Sequence, residues 1–529
     1  MEKQVLIYDT TLRDGTQGEQ ISFSAEEKLR IAQKLADLGI QYIEGGWPGS
    51  NPKDIRFFQM AKNTSLKKTR LTAFGSTRKA NILPEKDPNL KALLQAETQT
   101  ITIFGKVWDL HVTEILGVPL EENLDMIFDS ITYLKSKGKE VIFDAEHFFD
   151  GYKANPQYVL KTIQAAISAG ADIIVPCDTN GGTMVEDLKE IMILVRESFP
   201  DASFGIHAHN DCGLAVANSI AAVEAGAKMV HGTINGYGER CGNADLISVI
   251  PNLQLKIGKR CINDSKIKQL TEISRYVSDI ANIPPLNERP FVGQSAFAHK
   301  GGVHASAILK KPLAYEHIEP DVVGNKRRVL VSDLSGKSNI EYKANEMGLT
   351  LGGNGYDSKR IVKEIKQMED QGYQFDAAEG SLELLIKKST GQFKEPFSLH
   401  SLRVINEKNK DGQSISQATI KISVDGEEEI NAAEGNGPVN AIDNALRKAL
   451  SKFYPKIQEM RLVDFKVRVL EGSAGTAAKV RVLIESRDGK AIWNTVGVSE
   501  NIIEASWQAL VDSIYFKLCK DQAEETQLN

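Results

Sequence analysis

Disulfide chemistry is nearly absent from this chain. Its five cysteines (Cys177, Cys212, Cys241, Cys261 and Cys519) are odd in number and never fall in C-x-x-C spacing, which argues against a disulfide framework and for a reducing compartment. The three nearest the motifs discussed below, Cys177, Cys212 and Cys241, read as small buried hydrophobes. Charge of either sign is scarcely in excess: 64 Lys and Arg against 70 Asp and Glu leave −6 with no basic stripe, so the chain is expected to bind neither nucleic acid nor an anionic membrane. No apolar run approaches the roughly 18 residues a membrane span requires, and the opening MEKQVLIYD lacks a signal-peptide pattern; a cytoplasmic protein is expected. Also missing is a G-x-G-x-x-G opening a helix after the first strand, which weighs against a dinucleotide-binding sheet.

What the chain does have is length and regular alternation. With 529 residues, 41% hydrophobic and 25% charged, it has a globular composition and room for two to four domains. Short β-rich runs recur at 5–12, 41–47, 70–77, 98–105, 140–148, 172–179, 204–210 and 229–236, with helical patterns between them. The first helix is framed by a capping box at Ser24 and Glu27 and stops at Gly39. Eight strand–helix units in about 260 residues meet the requirement of an α/β fold closed as a (β/α)8 TIM barrel, where an open doubly wound sheet usually stops earlier. Each strand begins apolar and ends in Asp, Arg, Glu, Thr, His or Asn, and a barrel gathers those ends at one mouth.

Beyond residue 258 the alternation stops. Residues 266–283 read as a helix ended by Pro284 and Pro285, 286–345 as a linker subdomain rich in Gly, Pro, His and Lys, and 357–390 as a pair of helices. From about 394 a β, β, α series appears twice, each half running through a glycine-containing turn into an amphipathic helix. The expected division is a barrel over 1–265, linker subdomains over 266–392 and a C-terminal α+β domain over 393–529 with an internal ββα-type repeat. Glycine turns at helix starts can be simple loop chemistry, but in duplicate they offer two backbone N–H clusters suited to a carboxylate effector.

Two histidines carry the strongest chemical signal. FGIHAHND (204–211) reads as a buried strand, where side chains at i and i+2 leave one face roughly 7 Å apart, so His207 and His209 can reach one divalent cation. The pair can equally be hydrogen-bonded neighbours, and an H-x-H gains weight only when carboxylates converge on it. Asp14, in DTTLRDGTQ just beyond the first strand, supplies one, although alone it reads as a turn residue before Gly15. A cation on Asp14, His207 and His209 keeps open positions for water or substrate. NGYGERCGN (235–243) follows the eighth strand and offers Asn235 and Asn243 as neutral oxygen donors, Asn243 to complete the shell; the plain alternative is a tight loop. Arg13 is expected to face Glu44 at the end of the second strand, in a buried pair that either readies the guanidinium for an oxyanion or serves structure alone. Gln17, Glu146 and Thr179 are candidate substrate contacts. His304, in KGGVHAS outside the barrel, is either a structural histidine or a general acid/base.

DTTLRDGTQ, the IEGG at 43–46, HAHNDCGLAVANSIAAVEAGA and NGYGERCGN together resemble the α-isopropylmalate, homocitrate and citramalate synthase family. AEGNGPVNAIDNAL and VGVSENIIEASWQAL extend the likeness into that family's regulatory domain. The resemblance implies a homodimeric TIM-barrel enzyme of metal-dependent Claisen condensation, acting on acetyl-CoA and a 2-oxo acid. It implies Asp14, His207, His209 and Asn243 as ligands of a divalent ion, with Mn2+, Mg2+, Zn2+ and Co2+ all tolerating the set. It further implies Arg13, supported by Glu44, as the group that polarises the acceptor carbonyl, and Glu146 and Thr179 as acceptor contacts. His304 and Tyr315, in HASAILKKPLAYE, match linker residues that assist proton transfer, often from the partner chain. Isopropylmalate synthases carry G-I-H-Q-D where this chain has G-V-H-A-S, and Ser-Pro-Glu-Asp near the FDAEHFFDGYKANP found here. EGGWPGSNPKD and AEHFFDGYK look instead like a citramalate-forming branch, so pyruvate is the expected acceptor and isoleucine the expected effector. The nearest rival is isopropylmalate synthesis from 2-oxoisovalerate under leucine control. A hydroxymethylglutaryl-CoA lyase-like enzyme is disfavoured by the C-terminal repeat, and a non-catalytic carboxylate-binding barrel by the intact Arg13, Asp14, His207 and His209 set.

Overall fold

A computed structural model describes residues 4–349, 358–408, 410–470 and 472–528. Two compact units are present: one runs to Phe297 and takes in Ile318–Arg327, the other comprises Ala298–His317 and the chain from Arg328 on. Among the described residues no helix is long and apolar enough to cross a membrane.

The first unit is the expected closed barrel of eight parallel strands in sequence order. The strands are β1 (Leu6–Asp9), β2 (Tyr42–Gly46), β3 (Arg70–Ser76), β4 (Thr100–Lys106), β5 (Glu140–Glu146), β6 (Ile173–Asp178), β7 (Gly205–Ala208) and β8 (Met229–Gly232). Each strand is buried on both faces, which is why the runs read as nearly continuous apolar sequence. The outward residues Ile7, Ile43, Ile101, Val141, Ile174, Ile206 and Val230 pack against the helical ring, each fully buried aliphatic contributing about 1.5–3 kcal/mol. The helix Ala25–Leu38 shows how local sequence sets that ring. Ser24 and Glu27 close the capping box, Ile31, Ala32, Leu35 and Leu38 face the sheet, and Gly39 ends the helix in the left-handed region at φ 98°.

Inside the barrel, Tyr8, Tyr42, Ile142, Ile173, Val175, Cys177 and Met229 form an apolar plug. At the N-terminal end Arg70 pairs with Glu140, which also accepts from Tyr42 and Thr100. Toward the other end the register sets Cys177 beside His207, His207 beside His231 and His231 beside Tyr8, a row running across β6, β7, β8 and β1. The helix expected over 266–283 is a 3-10 turn, Asp264–Gln269, leading into an α-helix, Leu270–Ala281; Asn282, at φ 55°, ends it before the two prolines.

In the second unit, Gly302–Lys310, Lys337–Glu346, Ser358–Asp370 and Glu379–Ser389 are helices. Val331, Ile340, Ala344, Ile361, Ile365, Phe375 and Leu382 form a small core among them. Position 357, taken as the start of a helix, lies outside the described residues. The C-terminal repeat is βββα, a correction to the ββα reading. Strands Ser398–Lys408, Ser414–Val424 and Glu427–Gly435 precede the helix Pro438–Leu450, and Arg461–Val469, Val480–Arg487 and Ile492–Ser499 precede the helix beginning at Ile502. The extra strand was hidden inside SQATIKISVDGEEEINAAEG. Asp425 and Gly426, both at positive φ (46° and 88°), fold that run into a two-residue hairpin whose charged second arm is largely exposed. Ala418, Ile420, Ile422, Val482 and Ile484 alternate inward, and both repeats share one core.

Candidate active site at the barrel mouth

The mouth is assembled by the segments that follow β1, β7 and β8. Beyond β1 the carboxylate of Asp9 accepts from the Thr11 N–H and hydroxyl, both at 2.9 Å, and the Thr11 hydroxyl accepts from the Ile234 N–H at 2.8 Å. That ties the loop carrying Arg13 and Asp14 to the one that follows β8. His207 lies on β7, and His209, one residue past its end, is held by a bridge to Asn243. Asp14 Oδ2 lies 3.2 Å from His207 Nε2, and one ligand-capable atom from each of Asp14, His207 and His209 falls within 4.8 Å of the other two, all three residues being buried. Asn243 donates through its amide to the Tyr237 carbonyl at 3.3 Å, while its Oδ1 is buried with no partner among the described residues. An orphaned buried oxygen is what a cation site leaves behind. Gly238, at φ 155°, makes room for that amide, since a Cβ there would lie 2.2 Å from Asn243 Nδ2.

The electrostatics suit such a site. Burial opposes ionisation of Asp14, but Arg13 and His207 outweigh it and hold the carboxyl well below its usual range. Burial, helped by neighbouring His207, pushes His209 down to about 4, so its ring is neutral and able to serve as a ligand. His207 is shifted upward: burial works against its charge, and contact with Asp14 prevails. A divalent cation at this site would take the place of that proton, because both claim the same lone pair.

Arg13 is held on three sides. Its Nε donates to Glu44, its Nη1 lies 3.2 Å from Asp14 Oδ1, and its guanidinium carbon sits 3.8 Å over the centre of the Phe74 ring. Glu44 is fully buried and also accepts from Tyr8 and from Thr10. The IEGG motif makes this possible: at Gly46, φ 145°, a Cβ would lie 2.4 Å from the Asp54 carboxyl carbon, so glycine lets the end of β2 close on the helix Pro52–Ala61.

A cavity of about 220 Å³ opens over these groups, lined by Arg13, Asp14, Gln17, Glu146, Thr179, His207 and His209. Glu44 stands behind Arg13 and Asn243 behind His209. Glu146 is paired with Lys106 across the β4–β5 register. The Thr179 hydroxyl accepts from the His147 N–H at 2.9 Å, and its carbonyl accepts from Arg240 at 2.7 Å. His304 and Tyr315 belong to the second unit, where their rings stack 4.2 Å apart and both side chains are exposed. Three sequence readings need correction. Asn235 is spent on structure, bonding to Ser274 and Ser278. Cys212 and Cys241 are exposed in the loops after β7 and β8 rather than buried, although Cys177 is buried as expected.

Sequence reasoning missed one wall of the cavity. Trp47, Phe74 and Phe104 form it, Trp47 edge-on to the other two at 5.9 and 5.7 Å and those two stacked at 5.5 Å. It also missed Lys106, Arg240, Asp144 and His231. Asp144 stands two residues before Glu146 on one strand, the spacing that singled out His207 and His209. Burial pushes its carboxyl up to about 7.

A closed barrel bearing an Asp–His–His cluster and a pinned arginine at its C-terminal mouth defines a class, and the HMGL-like family model matches the barrel over residues 4–277. The homocitrate synthase post-HMGL domain-like model matches 291–373, and the LeuA allosteric (dimerisation) domain model 376–518. Among curated relatives, the (R)-citramalate synthase of Aquifex aeolicus (strain VF5) is 57% identical over 99% of both chains. That of Geobacter sulfurreducens is 56% identical over 98% of both, whereas the 2-isopropylmalate synthase of Methanocaldococcus jannaschii is 33% identical over 98% of this chain and 95% of its own. The chain belongs to the (R)-citramalate synthase family.

Proposed function

We propose that the chain condenses acetyl-CoA with pyruvate and hydrolyses the thioester, giving (R)-citramalate and CoA. The observation that carries this reading is the convergence of Asp14, His207 and His209 within 4.8 Å beside an arginine that Glu44 holds in place. Two carboxylates, Asp14 and Glu44, against one guanidinium leave this part of the mouth one negative charge in excess. A divalent cation reverses that excess and suits the site to a singly charged 2-oxo acid. Asp14, His207, His209 and Asn243 would hold the cation, which when bound supplies Lewis acidity and a fixed orientation for the acceptor.

The remaining steps fall to the chain's own groups. Loss of a methyl proton from acetyl-CoA gives an enolate, which attacks the C2 carbonyl of pyruvate. Arg13, already desolvated and fixed by Glu44, faces the oxygen on which charge develops, so its alignment costs little at the transition state. Thr179 and Glu146, in the cavity lining, contact the acceptor, Glu146 with its charge matched by Lys106, and Gln17 lines the same cavity. Trp47, Phe74 and Phe104 exclude water and leave room for a methyl group better than for a branched chain. His304 and Tyr315 assist proton transfer, a role resting on their likeness to family residues, and water cleaves the thioester to make the sequence irreversible. The chain works as a homodimer in the cytoplasm, in the route to isoleucine, and isoleucine binds the C-terminal domain over 393–529 beyond the barrel of 1–265 and the linker of 266–392. The ion is one of Mn2+, Mg2+, Zn2+ or Co2+. Thiol release from acetyl-CoA tests the reading: it must require both a 2-oxo acid and a divalent cation, and release at full rate with either omitted would overturn it.

A further inference from the structure

Below the cation ligands, on the side of the barrel interior, lies a second buried cluster. One ligand-capable atom from each of Asp144, His207 and His231 falls within 4.8 Å of the other two, and all three residues are buried. β5, β7 and β8 supply them, His207 and His231 being register partners. His207 directs Nε2 to Asp14, and its other ring nitrogen, Nδ1, is buried with no hydrogen-bond partner among the described residues. The same is true of Asp144 Oδ1 and of both ring nitrogens of His231. The His231 ring is fixed by stacking on Tyr8 at 3.8 Å, so it cannot turn away to find partners.

Four unpartnered polar atoms in one buried place are rare, because each costs about 1–3 kcal/mol if left so. Asp144 Oδ1 and His231 Nδ1 are 3.9 Å apart, beyond direct hydrogen-bond reach, and one water shared among these groups would satisfy them.

We propose that Asp144, backed by His231, is the positioning group for His207: through one shared water it takes the Nδ1–H of that ring, and so leaves the Nε2 lone pair aimed at the cation. The inference rests on the reading of Asp14, His207, His209 and Asn243 as metal ligands and adds the group that orients one of them. Carboxylates behind ligating histidines typically change metal affinity 10–100-fold. The test is a Co2+ titration of the full-length, metal-stripped protein, following the visible d–d bands in wild type, Asp144→Ala and Asp144→Asn. Asp144→Ala is expected to raise the Co2+ Kd 10–100-fold and shift the bands, and Asp144→Asn, which keeps an oxygen in place, to raise it less. A folded Asp144→Ala protein with wild-type Kd and spectrum overturns the proposal. If circular dichroism shows that Asp144→Ala does not fold, a wild-type Kd and spectrum in Asp144→Asn overturns it instead. Wild type failing to bind Co2+ would overturn the metal-site reading itself, a result distinct from either.

Discussion

Replacing Glu44 separates the guanidinium's support from the guanidinium itself. Glu44 is fully buried and receives Tyr8, Thr10 and the Nε of Arg13, so Glu44→Leu removes an acceptor from three donors. At about 1–3 kcal/mol each, moderated because Tyr8 retains Thr102 at 2.8 Å and Arg13 retains Asp14 at 3.2 Å, the loss is about 3–5 kcal/mol. Glu44→Gln is gentler: its carbonyl oxygen still serves Thr10 and Arg13, its NH2 can meet the Tyr8 hydroxyl, and only the charge assistance is lost, about 1–2 kcal/mol. Its effect on turnover is larger than its effect on folding. Arg13 then keeps a neutral acceptor in place of the carboxylate, beside Asp14 and the Phe74 face, so its guanidinium is held less firmly before charge develops. Removing one oxyanion donor costs about 2.7–4 kcal/mol in other enzymes, and partial misalignment is assigned about half of that, about a 10–30-fold fall in kcat with a smaller change in the pyruvate KM. Urea melts followed by circular dichroism give the stability change and CoA release gives kcat and KM. A Glu44→Gln protein within twofold of wild type in kcat would refute the role given to the ion pair.

Three other perturbations probe separate parts of the account. His207→Ala removes a proposed cation ligand from the cavity wall and is expected to abolish metal-dependent turnover while the barrel remains folded by circular dichroism; full activity in metal-depleted buffer would contradict the assignment. Trp47→Ala opens the aromatic wall and is expected to raise kcat/KM for 2-oxoisovalerate relative to pyruvate by about 10–100-fold, since one or two methyl groups in an apolar pocket are worth about 1–3 kcal/mol. In the C-terminal domain, burial works against Asp488, yet the N–H groups of Lys490 and Ala491 and the ammonium of Lys517 hold its carboxyl down at about 2. A depressed carboxyl stabilises the fold above its unfolded-state value and loses that contribution as pH falls through its folded-state value. Asp488→Asn should therefore cost about 1–2 kcal/mol at pH 7 and pH 5, with the gap to wild type closing between about pH 4 and pH 2 in urea melts.

Much of the barrel was legible because its signals are local. Apolar runs ended by Asp9, Glu44, Glu146 or His207 mark strand and mouth together, and Ser24 with Glu27 marks a helix start through hydrogen bonds only three residues apart. Asp14 and Asn243 could be sought once eight strands had been counted, because closure brings the segments after β1 and β8 together. The aromatic wall was not legible: Trp47, Phe74 and Phe104 follow no spacing rule and meet only because β2, β3 and β4 lie side by side. Lys106 and Glu146 are likewise paired by register alone. In the C-terminal repeat the exposed arm Glu427–Gly435 carries four glutamates and little apolar alternation, so its strand character comes from pairing with Ser414–Val424 and not from a buried face of its own. Cys212 and Cys241 are exposed because each sits in a loop at the mouth, where polar groups and not packing decide position.

The acceptor is the central claim, and its most direct measurement is kcat/KM by CoA release with pyruvate, 2-oxoisovalerate and 2-oxoglutarate under one set of metal and acetyl-CoA concentrations. The aromatic wall over Arg13 and Asp14 predicts that pyruvate leads both longer acids by at least about tenfold. A clear preference for 2-oxoisovalerate or 2-oxoglutarate would contradict it.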